Sequence, residues 1–427
     1  MPNAGAILKS GVDSDLLPGV AADAGYDCVF STTRGEFHYE LRNYSGIAQI
    51  SALQKDWRAL ESVSSEGFDY FQTFDWCHGW CKEFTQQDEN NSSSSIPSVY
   101  ALFANNKAVM IWPLMKVRSR NGLSFLETLS MPLGQYSNLL FEKDFVDAGL
   151  ARQVWETIKG SSGVDAVSLT NYPANCFMAE VLKDEGVEEI VEQVSSILDF
   201  SGIESWESYF ASLSKSQRKE RNRKLKKLEA MGSLTFEVHF HDGEMFSELV
   251  KTAVDMKREW LRVTSRHSQA LFEQESKKFL SALTLLDAES SSGEGPVVQS
   301  LNLDGAPIAI ELGMLRNRHY YSYLGAINLD WADYSPGKVQ IEMSQKWALE
   351  NGVEKFDFLS DPSDYKKSWS NLWVPVKTRY FSVTARGWLY CSLWKAQLRP
   401  LLRNAYQRSN PNMRKHVNRL LGLTSKS

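Results

Sequence analysis

Cysteine is scarce in this sequence. Cys28, Cys77, Cys81, Cys176 and Cys391 are scattered over 427 residues, and an odd, unpatterned set excludes a disulfide framework; it fits reduced thiols, so a cytoplasmic location is expected. There is no run of about 18 consecutive apolar residues of the kind that spans a bilayer. The start MPNAGAILKSGVDSD lacks the basic region and long apolar core of an export signal, so neither span nor anchor is expected. Charge of one sign does not dominate either. A net charge of -5 excludes a protein whose whole surface serves DNA or acidic lipid, and confines any polyanion site to a local patch.

What is present is an ordinary globular composition, 43% hydrophobic and 23% charged. At about 150 residues per domain, the length predicts two or three domains. Residues 1–35 show no sustained periodicity and read as a loosely attached leader. A pattern then appears twice. The aromatic helix candidate FQTFDWCHGWCKEF (71–84) leads through NNSSSSIP into a hairpin candidate, VYALFANNKAVMIWPLMK, turning at Asn105-Asn106. Further on, DMKREWLRV leads through ESSSGEGP into VVQSLNLDGAPIAIELGML, turning at Asp304-Gly305. Each hairpin is followed by a strand candidate (123–129; 320–324), a helix (VDAGLARQVWETIK; GKVQIEMSQKWALENG) and a last strand (VDAVSLTN; VEKFDFLS). Equivalent landmarks lie roughly 190 to 200 residues apart, the spacing of a duplicated domain. The expected organisation is an α/β unit over 36–200, a second over 201–392, and a basic helical segment over 393–427.

The sharpest local signal is Ser335-Pro336-Gly337-Lys338-Val339, placed between a strand and a helix. Glycine lets a backbone approach a ligand closely, and the unpaired N–H groups of a first helical turn suit a pyrophosphate. An ordinary Pro-Gly turn before a helix is the competing reading. The matching helix start in the first copy, Phe145-Val146-Asp147, has no glycine and carries acid, which disfavours an anion there.

The stretch YYSYLGAINLDWADYSPGKVQ, with FDFLSD, DYKKSW and the first copy's FQTFDWCHGW, resembles the CelD-type acetyltransferase-like family linked to cellulose and polysaccharide synthesis, within the GNAT superfamily. The resemblance covers roughly residues 45–395. It implies two tandem GNAT-like, FemAB-like domains with mixed sheets flanked by helices, and an acyltransferase moving an acyl group from acetyl-CoA or another acyl-CoA to an amine or hydroxyl of a sugar or envelope precursor. It maps the pyrophosphate of the donor onto Ser335, Pro336, Gly337, Lys338 and Val339, and an oxyanion-binding strand N–H onto the neighbourhood of Leu312. The sequence departs from the usual GNAT loop, having only Gly337 where two spaced glycines are common. Related Fem-type transferases take an aminoacyl group from a transfer RNA, and a non-catalytic scaffold among polysaccharide-synthesis proteins is a third reading.

Acyl transfer needs a base, an oxyanion donor and an acid for the thiolate. Glu311 and Asp357 are the candidate bases; in FDFL, alternation sets Asp357 on the face opposite Phe356 and Phe358. Either can equally be a solvated or salt-bridged carboxylate. Asp361 reads as a helix cap before Pro362. Tyr365 and Lys366, at the family's Tyr-Lys position, and Tyr323 are candidates for the acid or a phosphate charge; surface and core roles compete. Lys215 to Lys227 holds eight basic residues against one acidic, a solvated helix face or a polyanion site in which Arg218 and Arg221 are the expected contacts. Trp369 and Trp373 are the candidates for an acceptor pocket, whereas Trp76 and Trp80 fall at core spacing. His239 with His241, and Cys77 with Cys81, lack the partner pairs of a metal site, so no metal is expected.

Overall fold

The computed structural model describes residues 26–64, 67–85, 95–119, 121–183, 185–188, 193–266, 268–283, 294–360 and 364–398. Asp361 and most of the basic C-terminal segment lie outside them. Among the described residues fifteen strands form one sheet. In the first half they are β1 (Asp27–Arg34), β2 (Phe37–Tyr44), β3 (Ser95–Ala104), β4 (Lys107–Arg118), β5 (Ser124–Thr128), β6 (Leu140–Phe141), β7 (Ala166–Pro173), β8 (Val187–Glu188) and β9 (Gln193–Asp199). In the second they are β10 (Leu234–Phe240), β11 (Gly295–Leu303), β12 (Ala306–Arg316), β13 (His319–Ile327), β14 (Lys355–Ser360) and β15 (Leu372–Ser382).

Both hairpins form where the turn residues place them. Asn105 and Asn106 have φ of 45° and 67°, Asp304 and Gly305 50° and 79°, the left-handed pairs that two-residue hairpin turns demand and that Asn, Asp and Gly tolerate. One part of the expected leader is a strand. Residues 27–34 pair antiparallel with β2, and this edge strand buries neither face, so it carries no alternation for a sequence reading to detect.

The sheet runs β1-β2-β3-β4-β5-β7-β15-β9-β14-β13-β12-β11-β10. Its order departs from chain order at the junction between the halves. β9, which ends the first half, is hydrogen-bonded to β14; β15, late in the second half, pairs with β7 and with β9. Each half lends the other a strand. On one face the halves also share a core, in which Trp76, Cys77, Trp80 and Cys81 of the aromatic helix Phe74–Phe84 meet Phe246, Val250, Phe279 and Tyr321 of the second half. Trp76 and Phe279 stand edge to face at 4.9 Å. On the other face, helix Ala148–Ser161 covers the first half, and helix Pro336–Glu350 covers the second.

The short helix Ala385–Trp388 is pinned onto the first half at Gly387. A Cβ there would stand 1.7 Å from the Asp165 carbonyl oxygen, the acceptor for the Val383 and Thr384 N–H groups. Gly387→Ala is therefore expected to lose about 1–3 kcal/mol through overpacking. A urea unfolding midpoint equal to wild type would contradict the close approach.

A candidate donor site in the second half

The site is built where two parallel strands part. β13 and β14 pair only from His319↔Lys355 to Tyr321↔Asp357; beyond that β13 runs to Ile327 and β14 to Ser360 without each other. In the first half β5 and β7 part in the same way after Glu127↔Ser168, but that gap is stitched shut by the chain. Thr128 Oγ1 donates to Ser137 Oγ at 2.7 Å, the Ser137 hydroxyl donates to the Thr170 carbonyl, and Ser137 N donates to Asn171 O at 3.2 Å.

The helix starts beyond the two gaps differ as well. In the first half Asp147 caps its own helix, its carboxylate accepting from Leu150 N at 2.6 Å, so a negative charge already occupies that N-terminus. In the second half Ser335, at φ 58°, makes no side-chain cap bond, and Pro336 opens the helix. Pro336 has no N–H, and the Lys338 N–H turns to Ser335 O at 3.1 Å. The N–H group of Gly337 belongs to the first turn, which has no intrahelical acceptors. Gly337 packs closely, and a Cβ there would lie 3.1 Å from Ile327 Cγ2 at the end of β13, so that a larger residue needs Ile327 to give way.

The basic run forms helix Lys215–Glu229, opened by a reciprocal Ser214–Gln217 capping box, and it lies beside the cradle. Lys224 pairs with Glu220, and Lys338 Nζ stands 3.9 Å from the same carboxylate. Burial, and then the neighbouring Lys224 ammonium, hold the Lys338 ammonium below its ordinary pKa, against the pull of Glu220. Two ammonium groups thus share one carboxylate at an uncapped helix N-terminus, a local excess of positive charge. Lys227 adds a third, lying over the Tyr334 ring at 4.3 Å and donating to Asp333 O at 3.0 Å.

Arg218 and Arg221, the expected phosphate contacts, point elsewhere. Arg218 donates to the Ala211 carbonyl, and Arg221 is buried with its guanidinium 3.8 Å over the Trp369 ring. Arg221 and Lys224 are both on the buried face of this helix, but Arg221 is turned to Trp369 and Lys224 to Glu220 and Lys338; the run was legible, its individual contacts were not. Trp369 is likewise corrected, being 6% exposed and packed in the core with Phe356 and Phe358 rather than lining a pocket. Trp373 and Tyr365 are about half exposed, at 48% and 49%.

The carboxylates separate into two kinds. Asp357 is fully buried and surrounded by partners: Tyr136 Oη donates to both its oxygens at 3.1 and 3.0 Å, Ser195 Oγ at 2.6 Å and Leu359 N at 2.7 Å, with His319 Nε2 at 3.3 Å. Three segments of the chain converge on it, so it clasps the halves together and offers no open lone pair to a substrate. Alternation did place it away from Phe356 and Phe358, which belong to the opposite core. Tyr323 is a second clasp, its hydroxyl donating to Leu133 O at 3.0 Å, and burial pushes its pKa far up.

Glu311 is different. Its carboxyl is buried, accepts from Tyr320 Oη at 2.8 Å, and is bonded to the Ser322 hydroxyl. Burial pushes its pKa up to about 7; the Tyr320 and Ser322 bonds and the more distant Lys366 charge oppose the rise. Ser322 is only partly buried and lies on β13, the strand that borders the gap. Lys366 Nζ donates to Phe358 O at 2.7 Å, on the other bank. Leu312, near which an oxyanion donor is expected, lies inside the ladder between Val298 and Leu324, whereas the register shift between Leu312 and Gly313 leaves Tyr323 of β13 as an extra, unpaired residue. Nothing in the sequence marks that bulge.

His239 lies 3.3 Å from Glu237, and the Cys77 thiol donates to Phe71 O. Among the described residues no group of three or more His, Cys, Asp or Glu could hold a metal ion, and no helix is long and apolar enough to cross a membrane.

Residues 215–367, which hold the cradle, both lysines and Glu311, match the family described as Acetyltransferase (GNAT) domain. No curated protein matches the sequence. Among solved structures, FemX superposes with a TM-score of 0.53 at 12% identity, over 80% of this chain and 98% of that one. L-PGS from Bacillus licheniformis gives 0.43 at 13%, over 67% and 86%. A tandem GNAT protein from the clavulanic acid biosynthesis pathway gives 0.43 at 9%, over 81% and 99%; these last two superpose too loosely to add to the first. Residues 215–367 have the α/β fold of the GNAT domain, and the first half repeats the same order of hairpin, strand, helix and strand within one mixed sheet.

Proposed function

We propose that the protein is an acyltransferase that holds acyl-coenzyme A in its second half and passes the acyl group to an amine or hydroxyl of a sugar or envelope precursor, in the manner of the CelD-type proteins its motifs resemble. The observation that carries the donor assignment is the difference between the copies: one helix N-terminus is capped by its own carboxylate, the other is uncapped and flanked by Lys224 and Lys338. The donor's phosphates lie at Ser335–Val339, and its pantetheine arm runs into the gap between β13 and β14.

At the inner end of that gap Glu311 takes up the acceptor's proton through Ser322: the nucleophile's proton passes to the Ser322 oxygen as the Ser322 proton passes to the carboxylate. Backbone N–H groups of β13 beside the Tyr323 bulge stabilise the oxyanion. The thiolate leaves with coenzyme A, and no covalent enzyme intermediate is needed.

Calorimetry tests the donor site. Wild type is expected to bind acetyl-coenzyme A and coenzyme A saturably, and Lys224→Glu/Lys338→Glu to weaken both at least about 100-fold, since each substitution replaces a charge-assisted contact by repulsion. Equal binding by the variant would remove the phosphates from this cradle. Binding of aminoacyl-transfer RNA with no binding of coenzyme A would favour a Fem-like transferase, and binding of neither a scaffold.

A further inference from the structure

From Tyr365 to the last residue the sequence contains no Asp or Glu, and it contains thirteen Lys and Arg. Nine of these fall from Arg386 onward. The 364 residues before this segment hold the other 34 basic and all 52 acidic residues, a net charge of -18. The polarity of the molecule is therefore strongly divided along the chain.

The segment begins with an exposed apolar face. Helix Ala385–Trp388 continues into the wide helix Leu389–Leu398. Gly387, Tyr390 and Cys391 turn inward, Tyr390 standing 4.9 Å edge-on to Phe125 and Cys391 packing with Ala166 and Tyr380. Trp388, Leu389 and Leu393 turn outward, 57%, 53% and 43% exposed. Large apolar side chains on the outside of a helix are costly in water, and three of them lie within the acid-free, basic end of the sequence.

We propose that this C-terminal segment docks the protein on an anionic lipid surface, with Trp388, Leu389 and Leu393 entering the headgroup boundary and the net positive charge of the sequence from Tyr365 onward supplying the attraction to lipid phosphates. Apolar burial and cationic attraction together are the two signals that stable peripheral binding requires. A nucleic acid would use the cations but would gain nothing from two exposed leucines, which is why the lipid surface fits better. Docking through this face would hold the enzyme against a membrane without any spanning helix.

The experiment is sedimentation of the full chain with vesicles of phosphatidylcholine, with and without phosphatidylglycerol. Binding is expected only to the anionic vesicles and should weaken as salt is raised. Trp388→Ala/Leu389→Ser/Leu393→Ser is expected to lose at least about tenfold in vesicle affinity with an unchanged thermal transition. Each single substitution, at a side chain already half exposed, should share part of that loss and serves if the triple variant is destabilised. Absence of binding to anionic vesicles at low salt would overturn the proposal, as would binding that the substitutions leave unchanged. Transfer RNA that displaces the vesicles and is held equally well by the triple variant would reassign the segment to nucleic acid. Acetyl-coenzyme A binding is measured alongside; it depends on the cradle alone, so failure of either reading is seen separately.

Discussion

Arg316→Ala is expected to destabilise the protein by about 3–5 kcal/mol, because it removes one partner from a buried ionic cluster that joins the halves. Arg316, at the end of β12, reaches Asp69 Oδ1 at 3.2 Å with Nε, the Glu61 carbonyl at 3.0 Å with Nη2 and Glu61 Oε2 at 3.6 Å with Nη1. Burial already raises the Glu61 carboxyl to about 7 and lifts that of Asp69, with Arg316 opposing the rise in both. A folded-state pKa above the unfolded value means that the native state binds the extra proton, so stability falls as pH rises through that interval. Without Arg316 both carboxyls rise further, and the loss should be larger at pH 8 than at pH 5.5. Urea denaturation at the two pH values measures it. A deficit below about 1 kcal/mol at both would mean that the cluster does not couple the halves.

The second large effect concerns turnover. Glu311→Gln should lower kcat about 10²–10⁴-fold while leaving acyl-coenzyme A binding intact, since glutamine keeps the shape and the Tyr320 contact but cannot accept a proton. A base must be ionised, so the wild-type rate should climb with pH through about 7, where burial has moved this carboxyl. The residual rate of the variant should lack that limb. A purely structural Glu311 predicts the opposite signature: a rate profile unchanged in shape. The rate profile makes the distinction, because under either reading the variant loses the destabilisation that ionising Glu311 imposes between about pH 4.5 and 7.

Much of this site was legible before any coordinates. The Asn-Asn and Asp-Gly turns fixed both hairpins, the run 337–352 forms the helix expected after the cradle, and the acid noted at 147 caps its own helix. What escaped detection depends on neighbours far along the chain. β15 contains Pro375, which pairs opposite Val194, and proline argues against an interior strand when read locally. The partner of β9 is chosen by the tertiary arrangement, since the run Gln193–Asp199 fits many edges equally well. Asp357 shows the same limit: its face was predictable, but Tyr136 and Ser195, which close it off, lie 221 and 162 residues away. The basic helix failed for a simpler reason. Eight cations around one helix leave no apolar stripe strong enough to show which side meets the cradle.

The exchanged strands also set an order of events on the ribosome. In the folded protein this edge of β7 is covered by residues 372–382, so the first half gains its native partner only after roughly 200 further residues are made, about 10–40 s at ordinary elongation rates. Through that interval it presents an unpaired strand edge, the surface on which chains join one another. The closing strand comes from the same polypeptide in the native protein, but a second nascent chain carries an identical β15, and domain-swapped pairs are the natural error of such an architecture. Fragments made by cutting near residue 200 inherit this difficulty: each lacks the strand that the other supplies, so neither is an autonomous unit.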